Sequence, residues 1–297
     1  MEWAAAGAVR GRGRTSGLGL GADLGFQVGD DRRCLGVWRA GRRVRCPQDA
    51  VLAPEAKSGL CAACTALDRS SSIAADTRPD DPRPFAVYLA HHGTAVKVGI
   101  TAVERGIARL REQGALASLF LSSGTLMSAR RSEHLLGAAL GLPDRVSTTR
   151  KREARARPGT ADGRAAALDA LAARVRDLPD WPPSGQQPRE QEVTDHAATY
   201  GLPADGLHPR AAIAPLAPGT TVAARIACRV GTDLYLTPLD PPGAPTPSGA
   251  PDVGPAVLLD TRLLSGWTLH PAPPGTPSTA PLIPLAPRQH HDVEPLF

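Results

Sequence analysis

Short runs of alternating or continuous apolar residues occupy the middle of the chain, between stretches of helical periodicity. Three such runs predict β-strands at residues 86–89, 96–101 and 117–121. A helical stretch that carries Arg109 separates the second run from the third, and another that carries Glu133 follows the third. These patterns predict a module over residues 84–157 in which helices flank a small, mostly antiparallel sheet.

Patterned segments also lie on both sides of this module. Residues 24–28 alternate as in a strand, within a predicted β region at residues 22–80. Beyond the module, residues 161–178 have the spacing of an amphipathic helix. Further strands are predicted at residues 221–230, 233–237, 256–260 and 267–270. We therefore expect an α+β protein whose third part, residues 161–270, is a helix plus a small β unit.

The two ends of the chain carry little periodicity. Residues 1–21 are rich in glycine and arginine and predict a flexible arm, and residues 271–297 contain eight prolines and predict a disordered tail. No run approaches the roughly 20 apolar residues of a membrane span. The first basic residues follow a short apolar run, the reverse of a secretory signal. We expect a cytoplasmic protein without a membrane partner.

Charge is distributed unevenly along the chain. The formal net charge is +5, but residues 83–157 contain thirteen Lys and Arg against five Asp and Glu, whereas residues 158–297 contain nine against fourteen. A basic middle favours a polyanionic partner such as nucleic acid. Codon bias explains the charge equally well, because thirty-one arginines accompany only three lysines.

Four of the five cysteines fall close together in the predicted N-terminal region. Cys34, Cys46, Cys61 and Cys64 have the spacing C-x11-C-x14-C-x2-C. A C-x2-C pair lets two thiolates reach one ion, and four thiolates complete a structural zinc site. Disulfides are the poorer explanation for a cytoplasmic protein. The remaining alternative is four unlinked cysteines in a small core.

Four polar residues lie on four consecutive predicted elements of the central module, namely Tyr88, Lys97, Arg109 and Glu133. Phosphodiester hydrolysis requires a base, a cation for the developing charge and often a metal ion. Each residue also has an ordinary structural explanation: a core tyrosine, an edge-strand lysine, an exposed helix arginine and a glutamate paired with Arg130. Their joint order on strand, strand, helix and helix favours a common site.

This layout resembles the GIY-YIG nuclease superfamily. Residues 86–88 and 97–99 stand where that family has its two tripeptides, and Arg109 and Glu133 match its helix arginine and its metal-binding glutamate. The resemblance implies that Tyr88 helps to deprotonate water, that Arg109 stabilises the phosphate and that Glu133 holds Mg²⁺ or Mn²⁺. Three features depart from the family: Lys97 replaces the second tyrosine, the gap before Arg109 is a residue or two longer, and asparagine is absent.

A longer resemblance spans residues 24–270 and concerns a prokaryotic family catalogued as domain of unknown function 2797. It is carried by Arg33-Cys34, Cys61-x-x-Cys64, residues 87–90 and 97–101, residues 112–115, residues 258–262 and Gly266-Trp267. This resemblance implies an architecture and no established activity.

The leading expectation is a nucleic-acid-acting protein, specifically a Mg²⁺- or Mn²⁺-dependent endonuclease. Phosphate contacts are expected from Arg105, Arg111, Arg150, Lys151 and Arg152. The last three lie in the basic segment at residues 145–157, and the basic composition of this segment fits a solvated connector almost as well. Two alternatives stay open: a zinc-containing protein that binds nucleic acid without cutting it, and an interaction scaffold with a degenerate site.

Overall fold

The computed structural model describes residues 2–3, 14–15, 17–39, 42–69, 81–190, 192–239 and 257–285. These residues form a mixed α+β fold around two larger, mostly antiparallel sheets. The predicted flexible arm lies mainly outside the described residues. The end of the predicted disordered tail, from residue 286 onward, also lies outside them.

The N-terminal part contains short hairpins, one long strand and one helix. Its elements are β1 (Glu2–Trp3), β2 (Arg14–Thr15), β3 (Asp23–Arg32), β4 (Val37–Arg39), β5 (Arg42–Val44) and α1 (Ala62–Arg69). Strands β1 and β2 pair antiparallel, as do β4 and β5.

The central module contains the three predicted strands and four helices. Its elements are β6 (Phe85–His91), β7 (Val96–Ala102), α2 (Gly106–Glu112), β8 (Ala117–Gly124), α3 (Leu126–Leu140), α4 (Thr148–Ala154) and α5 (Ala161–Arg176). A 3-10 turn at Val103–Arg105 leads into α2. Strand β6 lies between β7 and β8 and pairs antiparallel with both.

Strand β6 is a continuous apolar run because both of its faces are covered. Val87 and Leu89 pack with residues of α3 and α5 in one core. Tyr88 faces the opposite side, where it packs with Leu110 of α2. Every residue of β6 is consequently buried, and polar groups on this strand lie inside the protein.

The C-terminal part contributes most of a seven-stranded sheet. Its elements are β9 (Gln186–Pro188), β10 (Thr194–Asp195), α6 (Ala197–Tyr200), β11 (Ala211–Ile213), β12 (Thr221–Val230), β13 (Asp233–Pro238), β14 (Val257–Asp260), β15 (Trp267–Pro271) and β16 (Leu282–Pro284). A 3-10 turn at Thr261–Leu264 precedes β15. The strand order is β15-β3-β12-β13-β14-β11-β16, and β9 and β10 instead extend the sheet of the central module.

The N-terminal strand β3 belongs to this C-terminal sheet, so a single sheet contains strands from both residues 22–80 and residues 161–270. Strand β3 lies between β12 and β15, with Phe26 opposite Val222. Its apolar residues Leu24 and Val28 share one core with Ile226. A strand with one apolar face needs a partner surface, and the distant part of the chain supplies it.

Two further segments differ from expectation. Residues 148–154, for which no helix was predicted, form helix α4, which begins where the Ser147 side chain accepts a hydrogen bond from the Arg150 amide. In the proline-rich segment predicted to be disordered, β16 pairs antiparallel with β11, with Ile283 opposite Ala212. Prolines are tolerated there because β16 is an edge strand.

Candidate functional site

The four residues predicted to form a site do converge, and two further side chains join them. We call this group the Tyr88 cluster; its members are Tyr88, Lys97, Arg109, Gln113, Glu133 and Lys151. They come from two strands, from helices α2, α3 and α4, and from the residue that follows α2. The pKa values of Tyr88, Lys97, Glu133 and Lys151 are each shifted by charges of other members, so the group forms one polar site.

Tyr88 forms the buried centre of this cluster. Its side chain is 1% exposed, and Gly99 lies opposite it on β7. The Gln113 amide donates a hydrogen bond of 3.1 Å to the Tyr88 hydroxyl oxygen. Burial raises the pKa of Tyr88, and the charge of Arg109 only partly offsets this. At neutral pH Tyr88 is therefore a protonated phenol held in a fixed orientation.

Lys97 lies beside the tyrosine ring. Its Nζ is 5.5 Å from the ring centroid of Tyr88 and donates a hydrogen bond of 3.2 Å to the carbonyl oxygen of Asp144. Burial lowers the pKa of Lys97, while the negative charge of Glu133 acts in the opposite direction. This buried ammonium adds a positive charge to the centre of the cluster.

Glu133 supplies the carboxylate of the cluster from helix α3. Burial raises its pKa, Lys97 lowers it again, and the neighbouring Asp144 raises it further. Among the described residues no donor forms a hydrogen bond or ion pair with this carboxylate. Its acceptor oxygens are consequently available to a ligand.

Lys151 was expected only as a phosphate contact, yet it belongs to the same cluster. Its Nζ donates a hydrogen bond of 2.8 Å to the carbonyl oxygen of Gln113. Burial, followed by the positive charges of Lys97, Arg155 and Arg109, lowers the pKa of Lys151 to about 8. Lys151 is thus the cationic member whose charge changes close to neutral pH.

Gln113 was not predicted as a member of this site, and Lys151 was not predicted to lie near Tyr88. The composition of the chain does contain one signal for Lys151. In a chain with three lysines and thirty-one arginines, both Lys97 and Lys151 fall in this cluster. Gln113 offers no comparable signal, because its role depends on the end of α2 lying next to β6.

The other predicted phosphate contacts are divided between the surface and the interior. Arg105 pairs with Glu112, and Arg111 and Arg150 are exposed, with no side-chain partner in the described part of the chain. Arg152 instead donates hydrogen bonds to the carboxylates of Asp233, at 3.0 Å, and Asp260, at 2.8 Å. This arginine therefore joins α4 to the seven-stranded sheet.

The four cysteines of the N-terminal part form a second candidate site. The Sγ atoms of Cys34, Cys46, Cys61 and Cys64 all lie within 4.8 Å of one another, and those of Cys46 and Cys61 are 3.8 Å apart. Tetrahedral zinc with Zn–S bonds of about 2.3 Å places its sulfur ligands roughly 3.8 Å apart. This donor set could hold a metal ion such as zinc.

The backbone around the cysteines supports metal binding. Cys61 ends the loop before α1 and donates its amide to Cys34 Sγ at 3.1 Å, while Cys64 lies in the first turn of α1. A hydrogen bond from the backbone of Ala50 lowers the pKa of the Cys46 thiol to about 7. This contact favours the thiolate form of Cys46, which is the form that binds a metal, whereas burial raises the pKa of Cys64 to about 12 in the metal-free protein.

The fold and the two sites show an α+β protein with a set of four cysteines that could bind a metal and a separate polar cluster. A family model described as a protein of unknown function (DUF2797) matches residues 21–237, and the chain belongs to that family. No curated protein and no solved structure matches the chain. Within the described residues, no helix has the length and apolar character needed to cross a membrane.

Proposed function

We propose that this protein acts on nucleic acid and that the Tyr88 cluster hydrolyses phosphodiester bonds, as the resemblance to GIY-YIG nucleases implies. The observation that carries the proposal is the convergence of three cations, a phenol and an unpaired carboxylate on one site. A phosphodiester presents negative oxygens that such cations attract, and hydrolysis increases the negative charge on them.

The cations Lys97, Arg109 and Lys151 would bind the phosphate and stabilise the charge that develops on its oxygens. Arg109 is partly exposed and presents its guanidinium to a ligand, whereas Lys97 is 7% exposed and acts from the interior. Tyr88, held by Gln113, would orient the attacking water through its hydroxyl. Because its pKa is raised, we assign it an orienting role in place of the role of a phenolate base.

Glu133 fits a divalent cation. Its half-buried carboxylate has no partner among the residues that the structure describes. Mg²⁺ commonly takes only one or two carboxylates from a protein and completes its shell with water and substrate phosphates. A Mg²⁺ or Mn²⁺ ion bound there would supply an activated water and neutralise phosphate charge.

A second candidate function is nucleic-acid binding without cleavage. The observation that favours it is the ammonium of Lys97 beside Glu133, because a fixed positive charge compensates the carboxylate and opposes a cation. In this case the cluster would hold a phosphate and leave its bonds intact.

For the four cysteines we propose zinc with a structural role. An ion with four protein ligands has no open position for a substrate. The small core around the four cysteines includes Val37 and Leu52, so few apolar contacts besides the cysteines stabilise this segment. Metal binding would therefore supply much of its folding free energy.

The test of the nuclease proposal is cleavage of single-stranded, duplex and branched DNA and RNA with Mg²⁺ or Mn²⁺. Glu133→Gln keeps the side-chain size but removes the charge, and we expect it to lower the cleavage rate at least about 100-fold. The control is Glu192→Gln, an exposed carboxylate outside the cluster. Binding by both proteins without cleavage by either would support the second candidate, and equal cleavage by wild type and Glu133→Gln would refute the assigned site.

A further inference from the structure

An open cleft of about 760 Å³ lies next to helix α2 and has no role in the proposed chemistry. Helix α2 forms one wall with Arg111, the seven-stranded sheet forms another with Arg229 and Trp267, and the cysteine segment adds Leu35 and Arg43. Its volume is that of a ligand-binding site. Helix α2 also carries Arg109, so the same helix contributes to the cleft and to the Tyr88 cluster.

The charge of this cleft is positive. Arg111 has no side-chain partner in the described ranges, and Arg229 donates one hydrogen bond, of 2.7 Å, to the carbonyl oxygen of Leu18. The carboxylate in the lining, Glu112, is paired with Arg105 and lies 3.5 Å from Arg109. The negative charge of Glu112 is thereby compensated, and Arg111 and Arg229 favour an anionic ligand.

The cleft also contains an aromatic group with an unused donor. Trp267 lies in its wall, and the indole N–H is buried without an acceptor among the described residues. A buried donor without a partner is uncommon in folded proteins. Because the N–H itself is buried, Trp267 offers a ligand in the cleft its aromatic ring, and this suits a nucleobase.

The β4–β5 hairpin extends this surface outside the cleft. Trp38 on β4 lies opposite Arg43 on β5, so both side chains belong to the same face of the hairpin. Trp38 is 67% exposed, and Arg43 also lines the cleft. Arg42, next to it, is exposed and has no partner within the described residues. Arg42 belongs to the opposite face of the hairpin, because successive side chains of a strand alternate. An exposed indole with positive charge nearby is an arrangement on which unpaired bases stack.

We propose that the hairpin and the cleft form one binding track for single-stranded nucleic acid. Bases stack on Trp38, and successive phosphates contact Arg111 and Arg229. A duplex is less suitable, because its bases are not free to stack on an indole. This proposal rests on the proposed function, because it assigns the substrate class of a protein that acts on nucleic acid. Helix α2 contributes Arg111 to the track and Arg109 to the Tyr88 cluster.

The experiment measures binding of fluorescein-labelled 12-residue dT and U oligomers by anisotropy, without divalent cations, on the Glu133→Gln protein. We expect Trp38→Ala to weaken binding about 5- to 150-fold and Trp38→Phe to retain most of it. Arg111→Gln should weaken binding and lower the slope of log affinity against log salt by about 0.7. The matched controls are Met127→Ala and Arg174→Gln, which change an exposed apolar and an exposed basic residue elsewhere.

The outcomes separate this proposal from the proposed function. Binding that Trp38→Ala and Arg111→Gln do not weaken would overturn the track, whether or not wild type cuts. Binding of thymidine and uridine monophosphates is measured in the same way. If they bound as tightly as the oligomers, the site would be a nucleotide pocket, and the proposed track would also be overturned. Oligomer binding that depends on Trp38, together with no cleavage by wild type, would support the track and refute only the nuclease.

Discussion

The hydroxyl of Tyr88 lies over Gly99 of the neighbouring strand, in the space that a side chain at Gly99 would occupy. A Cβ atom at residue 99 would come within 2.5 Å of the Tyr88 oxygen. The two residues are direct partners across β6 and β7. Glycine at this position therefore allows the phenol to lie flat across the sheet and reach Gln113.

We predict that Gly99→Ala displaces the Tyr88 ring. The added methyl group overlaps both the oxygen and the ring, so the hydrogen bond from Gln113 is lost and the fold is destabilised by about 1–3 kcal/mol. Cleavage or binding assigned to the Tyr88 cluster should fall about tenfold or more. Thermal denaturation and the activity assay together test this.

The matched control for Gly99→Ala is Gly137→Ala in helix α3. A Cβ atom at Gly137 would meet only the carbonyl oxygen of Leu142, at 3.4 Å. Alanine is favoured over glycine inside a helix by about 0.5–1 kcal/mol, so this variant should be as stable as wild type or more stable. A Gly99→Ala protein with unchanged stability and activity would show that the position of Tyr88 is not important.

Local pattern was sufficient for the strands of the central module and insufficient for the pairing of distant segments. The apolar runs located β6, β7 and β8 because burial on both faces makes these strands mostly apolar. The place of β3 was not predictable, because its alternation specifies an apolar face but not the strands that pair with it. The order of Tyr88, Lys97, Arg109 and Glu133 predicted their convergence, whereas Gln113 joined them only through the packing of α2.

The arginines of residues 150–157 illustrate the same limit. Arg150 and Arg152 look equivalent in a basic run, but Asp233, which pairs with Arg152, lies 81 residues further along the chain. No local feature of the sequence distinguishes the exposed arginine from the paired one. Charge counting therefore overestimates the positive surface that this segment offers to a partner.

We predict that Asp233→Asn strongly destabilises the fold. The Asp233 side chain is 1% exposed and accepts hydrogen bonds from Arg152 and Arg155. Removing its charge leaves two arginines without their shared counterion, and a broken buried pair costs about 3–5 kcal/mol. Chemical denaturation gives the free energy of unfolding. Asp169→Asn, on the exposed face of α5, is the control and should change it by about 0.5 kcal/mol or less.

A related pair of variants separates structural arginines from binding arginines. Arg152→Ala should lower the melting temperature, because it removes the contacts of α4 with Asp233 and Asp260. Arg150→Ala should leave the melting temperature unchanged, since its side chain has no partner among the described residues. If Arg150→Ala destabilised the protein more than Arg152→Ala, the assignment of the two side chains would be wrong.

We predict that Cys64→Ser releases the metal ion from the cysteine segment. Three remaining thiolates bind zinc much less tightly, and the segment around α1 should then unfold, because few apolar contacts besides the cysteines stabilise it. Elemental analysis of purified protein should give about one zinc per chain for wild type and much less for the variant. Cys228→Ala, in β12 and remote from the other four cysteines, should keep the full metal content. Equal zinc content in Cys64→Ser and wild type would exclude the four-cysteine site.

Lys151 should make phosphate binding at the Tyr88 cluster depend on pH. Its pKa is lowered to about 8 by burial and by Lys97, so its charge is lost as pH rises from about 7 to 9. We predict that affinity for an oligonucleotide falls over this range. Lys151→Arg should remove the fall, because a guanidinium stays charged throughout.

The lowered pKa of Lys151 also affects stability, and here the effect of rising pH is favourable. Between the folded pKa of about 8 and the ordinary pKa of 10.5, the unfolded chain binds more protons at Lys151 than the folded protein does. The contribution of Lys151 to the free energy of unfolding should therefore rise with pH across this window. Lys151→Met, which removes the buried charge, should stabilise the fold most at pH 7 and least at pH 10. Denaturation of both proteins at several pH values tests this, and a stability difference independent of pH would contradict the lowered pKa.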